Sequence, residues 1–204
     1  MLCVCMGSGA AQAAPLPVLR IDAANITVSG LSSGGYMAVQ LHVAWSSLFH
    51  GAGVIAAGPY YCAQGLAALA TTRCLSRDSA PPVEALVATA RTWAAAGAID
   101  ATTQLRASRV YLFAGSKDSV VASPLVADLK RFYAAFVPEA QIAHRTDVPA
   151  EHGMPTDDHG SACGHKGKPF IVDCDVDIAG ELLKHLHGPL ATRNDGALRG
   201  QLLR

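Results

Sequence analysis

Residues Ser29 to Met37 read SGLSSGGYM. The stretch follows Asn25-Ile26-Thr27-Val28-Ser29, a short β-branched run that reads as a strand. It precedes Gly34 to Phe49, where Met37, Val39, Leu41, Val43 and Leu48 fall among the apolar positions of a helical pattern. A serine between a strand and a helix, with glycines two before and two after, matches G-x-S-x-G. The requirement is steric, because larger neighbours would collide across so sharp a turn. Ser32 has Gly30 and Gly34 at those places, whereas Ser33 has Leu31 and Gly35. The spacing therefore favours Ser32 as an exposed nucleophile. Ser33 would open the helix and offer its backbone N–H to an oxyanion. The plainer alternative is a glycine-rich turn with a serine helix cap.

Further strands follow. Gly51 to Ala57 (GAGVIAA) is a continuous apolar run that suits a strand buried on both faces. Arg109 to Ala114 (RVYLFA) is the clearest strand, and Gln141 to Val148 is a fourth. Helical patterns occupy 83–96, 124–136 and 178–187, while 60–82 and 151–169 read as loops. This alternation predicts an α/β domain with a mostly parallel sheet and flanking helices. Such sheets place their sites beyond the carboxyl ends of the strands. Asp118 lies there in Gly115-Ser116-Lys117-Asp118-Ser119, where an acid could orient a base, though turn aspartates are common. His152 lies there in Glu151-His152-Gly153-Met154-Pro155-Thr156. The order Ser32, Asp118, His152 is the chain order of α/β-hydrolases. His159 and His165 are rivals for the base, and Asp157 and Asp158 for the acid.

The 204 residues suffice for one domain with a buried core. Lys plus Arg equals Asp plus Glu, so no long-range field draws nucleic acid or an anionic membrane, and neither is expected as a partner. No apolar run is long enough to span a bilayer. The opening MLCVCMGSGAAQAAPLP lacks a basic start, yet its small residues at Ala11-Gln12-Ala13 suit a cleavage site. Residues 1–13 are expected to be a partial export signal, 14–204 the catalytic domain, and the product secreted or periplasmic. Cys3 and Cys5 would leave with the signal. Cys62, Cys74, Cys163 and Cys174 would remain, and four cysteines permit three connectivities. Two local bridges, each closing a short loop, are favoured over four free thiols. His159, Cys163 and His165 lack the tight paired spacing of zinc sites, so no metal is expected.

Five segments resemble the secreted polyhydroxybutyrate depolymerases, a circularly permuted α/β-hydrolase family. They are SGLSSGGYMAVQ (29–40), GPYYCA (58–63), VYLFAGSKDSVV (110–121), HGMPT (152–156) and DCDVDIAG (173–180). The likeness runs from about Ile26 to the C-terminus. It implies a serine esterase cutting poly(3-hydroxybutyrate) or its oligomers without a cofactor. It implies the triad Ser32, Asp118 and His152, Ser33 as an oxyanion donor, and bridges Cys62–Cys74 and Cys163–Cys174. In that family a later section supplies a second oxyanion donor, an L-H-G-C-type stretch. Nothing similar follows Arg193-Asn194-Asp195-Gly196. The expectation is thus the triad-bearing portion of the domain with an incomplete sheet, whose unpaired edges favour self-association. The alternatives are an esterase for feruloyl or acetyl sugar esters and an inactive fragment.

Overall fold

The computed structural model describes residues 19–194 and 196. The expected signal segment, with Cys3 and Cys5, lies outside the described residues. Strand β1 (Val28–Leu31) leads into helix α1 (Ser33–Ala44) and strand β2 (Gly51–Ile55). Helices α2 (Ala67–Thr72) and α3 (Val83–Ala95) precede β3 (Arg109–Phe113), α4 (Ser123–Ala134) and β4 (Ile142–Arg145). The last part holds β5 (Met154–Thr156), β6 (Ser161–Ala162), β7 (Ile171–Asp173) and α5 (Ile178–His187). β1 to β4 form one parallel sheet in sequence order, and β5, β7 and β6 form a small parallel sheet in that spatial order.

The main sheet is covered on both sides, which explains its apolar central strands. Along β3, Val110 and Leu112 join the core built with α1, α3 and α4. Tyr111 and Phe113 point the other way, into the core capped by α5. On α4, Leu125, Val126, Leu129, Phe132 and Tyr133 are buried at helical spacing, each adding about 1.5–3 kcal/mol. Its outward face carries Lys130 and Arg131, paired with Glu139 and Glu84. His42 of α1 is fully buried, with Nδ1 3.0 Å from the Tyr133 hydroxyl and Nε2 3.0 Å from Ser108 Oγ. Burial lowers its pKa to about 3, so it is neutral at pH 7 and ties α1 to α4 and to the start of β3.

Several boundaries differ from the sequence expectation for identifiable reasons. Asp22 caps a short 3-10 turn at Ala23–Asn25 by accepting from the Ala24 N–H, and this delays the strand to Val28. Helix α1 stops at Ala44 because Asp100 intervenes. Its N–H donates to the Ala44 carbonyl, and its carboxylate accepts from the Ser47 N–H and hydroxyl. The region expected as loop at 60–82 contains α2, which buries none of its residues and sits beside the Cys62–Cys74 bridge. Among the described residues the outer edge of β1 pairs with no strand. Met37, Trp45 and Leu48, on and just after the neighbouring α1, are exposed.

Candidate active site

Ser32 joins β1 to α1 with φ 57° and ψ −122°, a strained conformation for any residue other than glycine. Its N–H donates to the Ile55 carbonyl at 2.9 Å, and its carbonyl accepts from the Tyr36 N–H at 2.9 Å. The turn is thus held by β2 on one side and α1 on the other. Although Ser32 stands at the helix N-cap, its side chain makes no capping hydrogen bond. The Oγ is therefore not spent on the helix, which argues against a simple serine cap. Ser33 is the exposed first residue of α1, where a backbone N–H has no intrahelical acceptor.

The glycines around this turn do different work. A Cβ on Gly30 would lie 2.3 Å from the carbonyl carbon and oxygen of Gly34. A Cβ on Gly34 would meet nothing within 4 Å. A Cβ on Gly35 would sit 3.0 Å from the Ala57 Cβ and from the Gly30 and Ile55 carbonyl oxygens. The close approach thus requires Gly30 and Gly35, which corrects the sequence expectation that Gly34 had to be small. Gly30→Ala should cost about 1–3 kcal/mol of stability through overpacking. Gly34→Ala should be neutral or stabilise by up to about 1 kcal/mol, since alanine favours the helix. Denaturant unfolding of both variants checks this, and equal losses would contradict the assignment.

The strand-end loops after β3 and β4 are brought together by backbone contact. Ser116 N–H donates to the Val148 carbonyl at 2.9 Å, and Lys117 N–H to the Ala150 carbonyl at 3.2 Å. Gly115 permits the approach, since a Cβ there would lie 2.3 Å from the Ala150 oxygen. Across this seam His152 Nδ1 meets Asp118 Oδ2 at 2.9 Å, with side-chain exposures of 6% and 2%. The other oxygen, Asp118 Oδ1, accepts from the N–H groups of Val120 at 2.9 Å and Val121 at 2.8 Å. With Nδ1–H given to a carboxylate, Nε2 is left as the basic nitrogen. Phe170 sets its ring edge-on to the His152 ring, 6.2 Å between centroids. No hydrogen bond joins Ser32 to His152 among those of the described residues. Such bonds are commonly loose before substrate engages.

A cleft of about 510 Å3 opens beside the serine, lined by Ser32, Ser33, Tyr36, Tyr61, Leu75 and Val120 among others. The Cys62–Cys74 bridge forms part of its wall. No lining residue carries a formal charge. Indeed, the chain has no Asp, Glu, Lys or Arg from Ala23 to Thr72. The cleft therefore suits an uncharged, largely apolar substrate.

The rival groups lie elsewhere. Asp157 and Asp158 pair with Arg193, and His159 and His165 are exposed. Cys163 is bridged to Cys174 and so is not a metal-ligating thiolate. Among the described residues no His, Cys, Asp or Glu group is arranged to hold a metal ion, and no helix is long and apolar enough to cross a membrane. Sequence reasoning missed Gly35, the cleft tyrosines and Glu151. The Glu151 carboxylate accepts from the Ser119 and His152 N–H groups. Only its place next to His152 could have drawn attention to it.

No family model matches the chain. It is 50% identical over 194 residues to a poly(3-hydroxybutyrate) depolymerase of Delftia acidovorans, covering 94% of this chain and 39% of that protein. Over this span the chain is similar to the polyhydroxybutyrate depolymerases. A polyhydroxybutyrate depolymerase of Talaromyces funiculosus is 35% identical over 204 residues, 98% of this chain and 59% of that protein. The crystal structure of the PHB depolymerase from Penicillium funiculosum superimposes with a TM-score of 0.84 at 34% identity. A PHB depolymerase complexed with an R3HB trimer does so at 0.85 and 34%. Each match covers 92% of this chain and 59% of the other. The fold is therefore α/β-hydrolase-like, and the chain spans 39% to 59% of the length of these depolymerases.

Proposed function

We propose that this chain carries the triad-bearing part of a serine esterase that cleaves poly(3-hydroxybutyrate) or its oligomers. One arrangement carries the reading. A strained Ser32 stands at an uncharged cleft after β1, and the buried Asp118–His152 pair lies in the loops beyond the carboxyl ends of β3 and β4 of the same sheet. The chain order and the depolymerase homologues support it.

The chemistry follows from the groups. Ser32 Oγ attacks the ester carbonyl carbon while His152 Nε2 takes the hydroxyl proton. The developing oxyanion accepts from the Ser33 N–H at the positive end of α1. Asp118 holds the Nδ1–H and stabilises the imidazolium. His152 then gives its proton to the leaving alkoxide, and the C–O bond breaks to leave an acyl-serine. Water, deprotonated by His152, attacks that ester, and proton return to Ser32 Oγ releases the acid. These steps need no cofactor.

The test is release of soluble hydroxybutyrate products from polymer and from short oligomers, beside feruloyl and acetyl sugar esters. Faster cleavage of hydroxybutyrate esters supports the reading, and preference for either other ester sinks the substrate assignment. Two disulfides fit an oxidising compartment, and we place the protein outside the cytosol. The β1 edge, unpaired among the described residues, and the exposed Met37, Trp45 and Leu48 support self-association. Light scattering over a concentration series should show mass rising with concentration, and a constant monomer mass would refute this.

A further inference from the structure

The Asp118–His152 pair is held by a third group that takes no part in the steps above. Glu151 is buried, 8% exposed, in the loop after β4. Its Oε2 accepts from the Ser119 N–H at 2.8 Å and from the His152 N–H at 2.9 Å. Its Oε1 accepts from the Ser119 hydroxyl, whose oxygen in turn accepts from Lys166 Nζ at 2.9 Å. The Glu151 N–H donates to the Cys163 carbonyl at 3.0 Å, and Cys163 is bridged to Cys174. Burial opposes ionisation of this carboxyl, but the bonds from Ser119 and His152 hold its pKa below the usual value.

These contacts close a ring. Asp118 is bonded through its side chain to His152, His152 through its backbone to Glu151, Glu151 to Ser119, and Ser119 is covalently next to Asp118. One side chain thus grips the residue after the acid and the N–H of the base. A carboxylate offers the two acceptors that two converging N–H groups and a hydroxyl require. We propose that Glu151 is a positioning residue, clamping the acid loop to the base loop so that the Asp118–His152 hydrogen bond forms in the correct register. This rests on the esterase reading for its consequence in catalysis, but not for its geometry.

The low-field Nδ1–H resonance of the His152–Asp118 hydrogen bond in proton NMR reports on the clamp without any turnover. Asp118→Asn identifies the signal by abolishing it. The resonance should persist in Ser32→Ala and in Glu151→Gln, whose amide oxygen still accepts the two N–H groups. It should be lost or broadened in Glu151→Ala. Should Glu151→Ala fail to fold, Ser119→Ala, which removes the Oγ link to Glu151 and Lys166, should broaden the same signal. On a soluble hydroxybutyrate ester, Glu151→Ala should lower kcat about 100-fold, the scale of a small misplacement of catalytic groups, with KM within about twofold. In an Asp118→Asn background the same change should cost less than about threefold, because there is no pair left to align. An unchanged resonance in Glu151→Ala, or in the Ser119→Ala fallback, overturns the clamp. So does an equal kcat loss in both backgrounds. Absence of turnover in the wild type, with the resonance behaving as expected, overturns the esterase reading and leaves the clamp standing.

Discussion

Ser32→Ala should lower ester hydrolysis roughly a millionfold, the loss seen when a triad nucleophile is removed. Ser33→Ala should stay within about threefold of wild type, because its contribution is the backbone N–H, which alanine keeps. The contrast follows from geometry. Ser32 has the positive φ of the turn and a side chain free of the helix cap, whereas Ser33 is an ordinary first helical residue. Neither variant should unfold the protein. Alanine at position 33 favours the helix, and at 32 it retains the strained backbone with one oxygen fewer. Steady-state kinetics on a soluble hydroxybutyrate ester check both. A dead Ser33→Ala with an active Ser32→Ala would move the turn by one residue.

Asp118→Asn should cost about 10,000-fold in kcat with little change in fold. The size of the effect comes from a tautomer. Asp118 Oδ1 accepts from two backbone N–H groups, from Val120 and Val121. Asparagine keeps that arrangement only by placing its amide oxygen there, which turns its NH2 toward His152 Nδ1. Nδ1 must then accept, so the ring proton moves to Nε2, the nitrogen that should take the Ser32 proton. The base is lost although every heavy atom stays near its place. Kinetics together with thermal unfolding check this. A loss below about tenfold would mean that Asp118 does not hold the tautomer.

Much of the framework was legible because it rests on local pattern. GAGVI and RVYLF were readable as strands since both their faces are buried, and α5 was legible from Ile178 to His187 through its apolar stripe. The pairing of Asp118 with His152 was readable only as an order along the chain. The order says that strand ends converge, but the seam from Ser116 and Lys117 to Val148 and Ala150 is a long-range contact without a sequence signal. The small sheet was not legible for the same reason. Its strands have two or three residues in a Gly-, His- and Asp-rich stretch, and β5 finds β7 across 14 intervening residues. Ser32 was chosen over Ser33 from glycine spacing; the positive φ of the turn falls at Ser32, while half of the spacing argument was misplaced. Gly30 is needed as expected, while the second tight glycine is Gly35 and not Gly34, because α1 packs on Ala57 and Ile55 at that position. Glu151 was invisible, since a carboxylate beside a histidine in sequence does not reveal that it grips Ser119.

The central claim is that Ser32 is a nucleophile activated by His152 and Asp118. Treating the folded protein with a fluorophosphonate and locating the adduct by tandem mass spectrometry tests it most directly. The account predicts a single adduct on Ser32, formed at a rate that falls steeply in His152→Ala and Asp118→Asn. An adduct on Ser33, or no adduct on the folded wild-type protein, would contradict it.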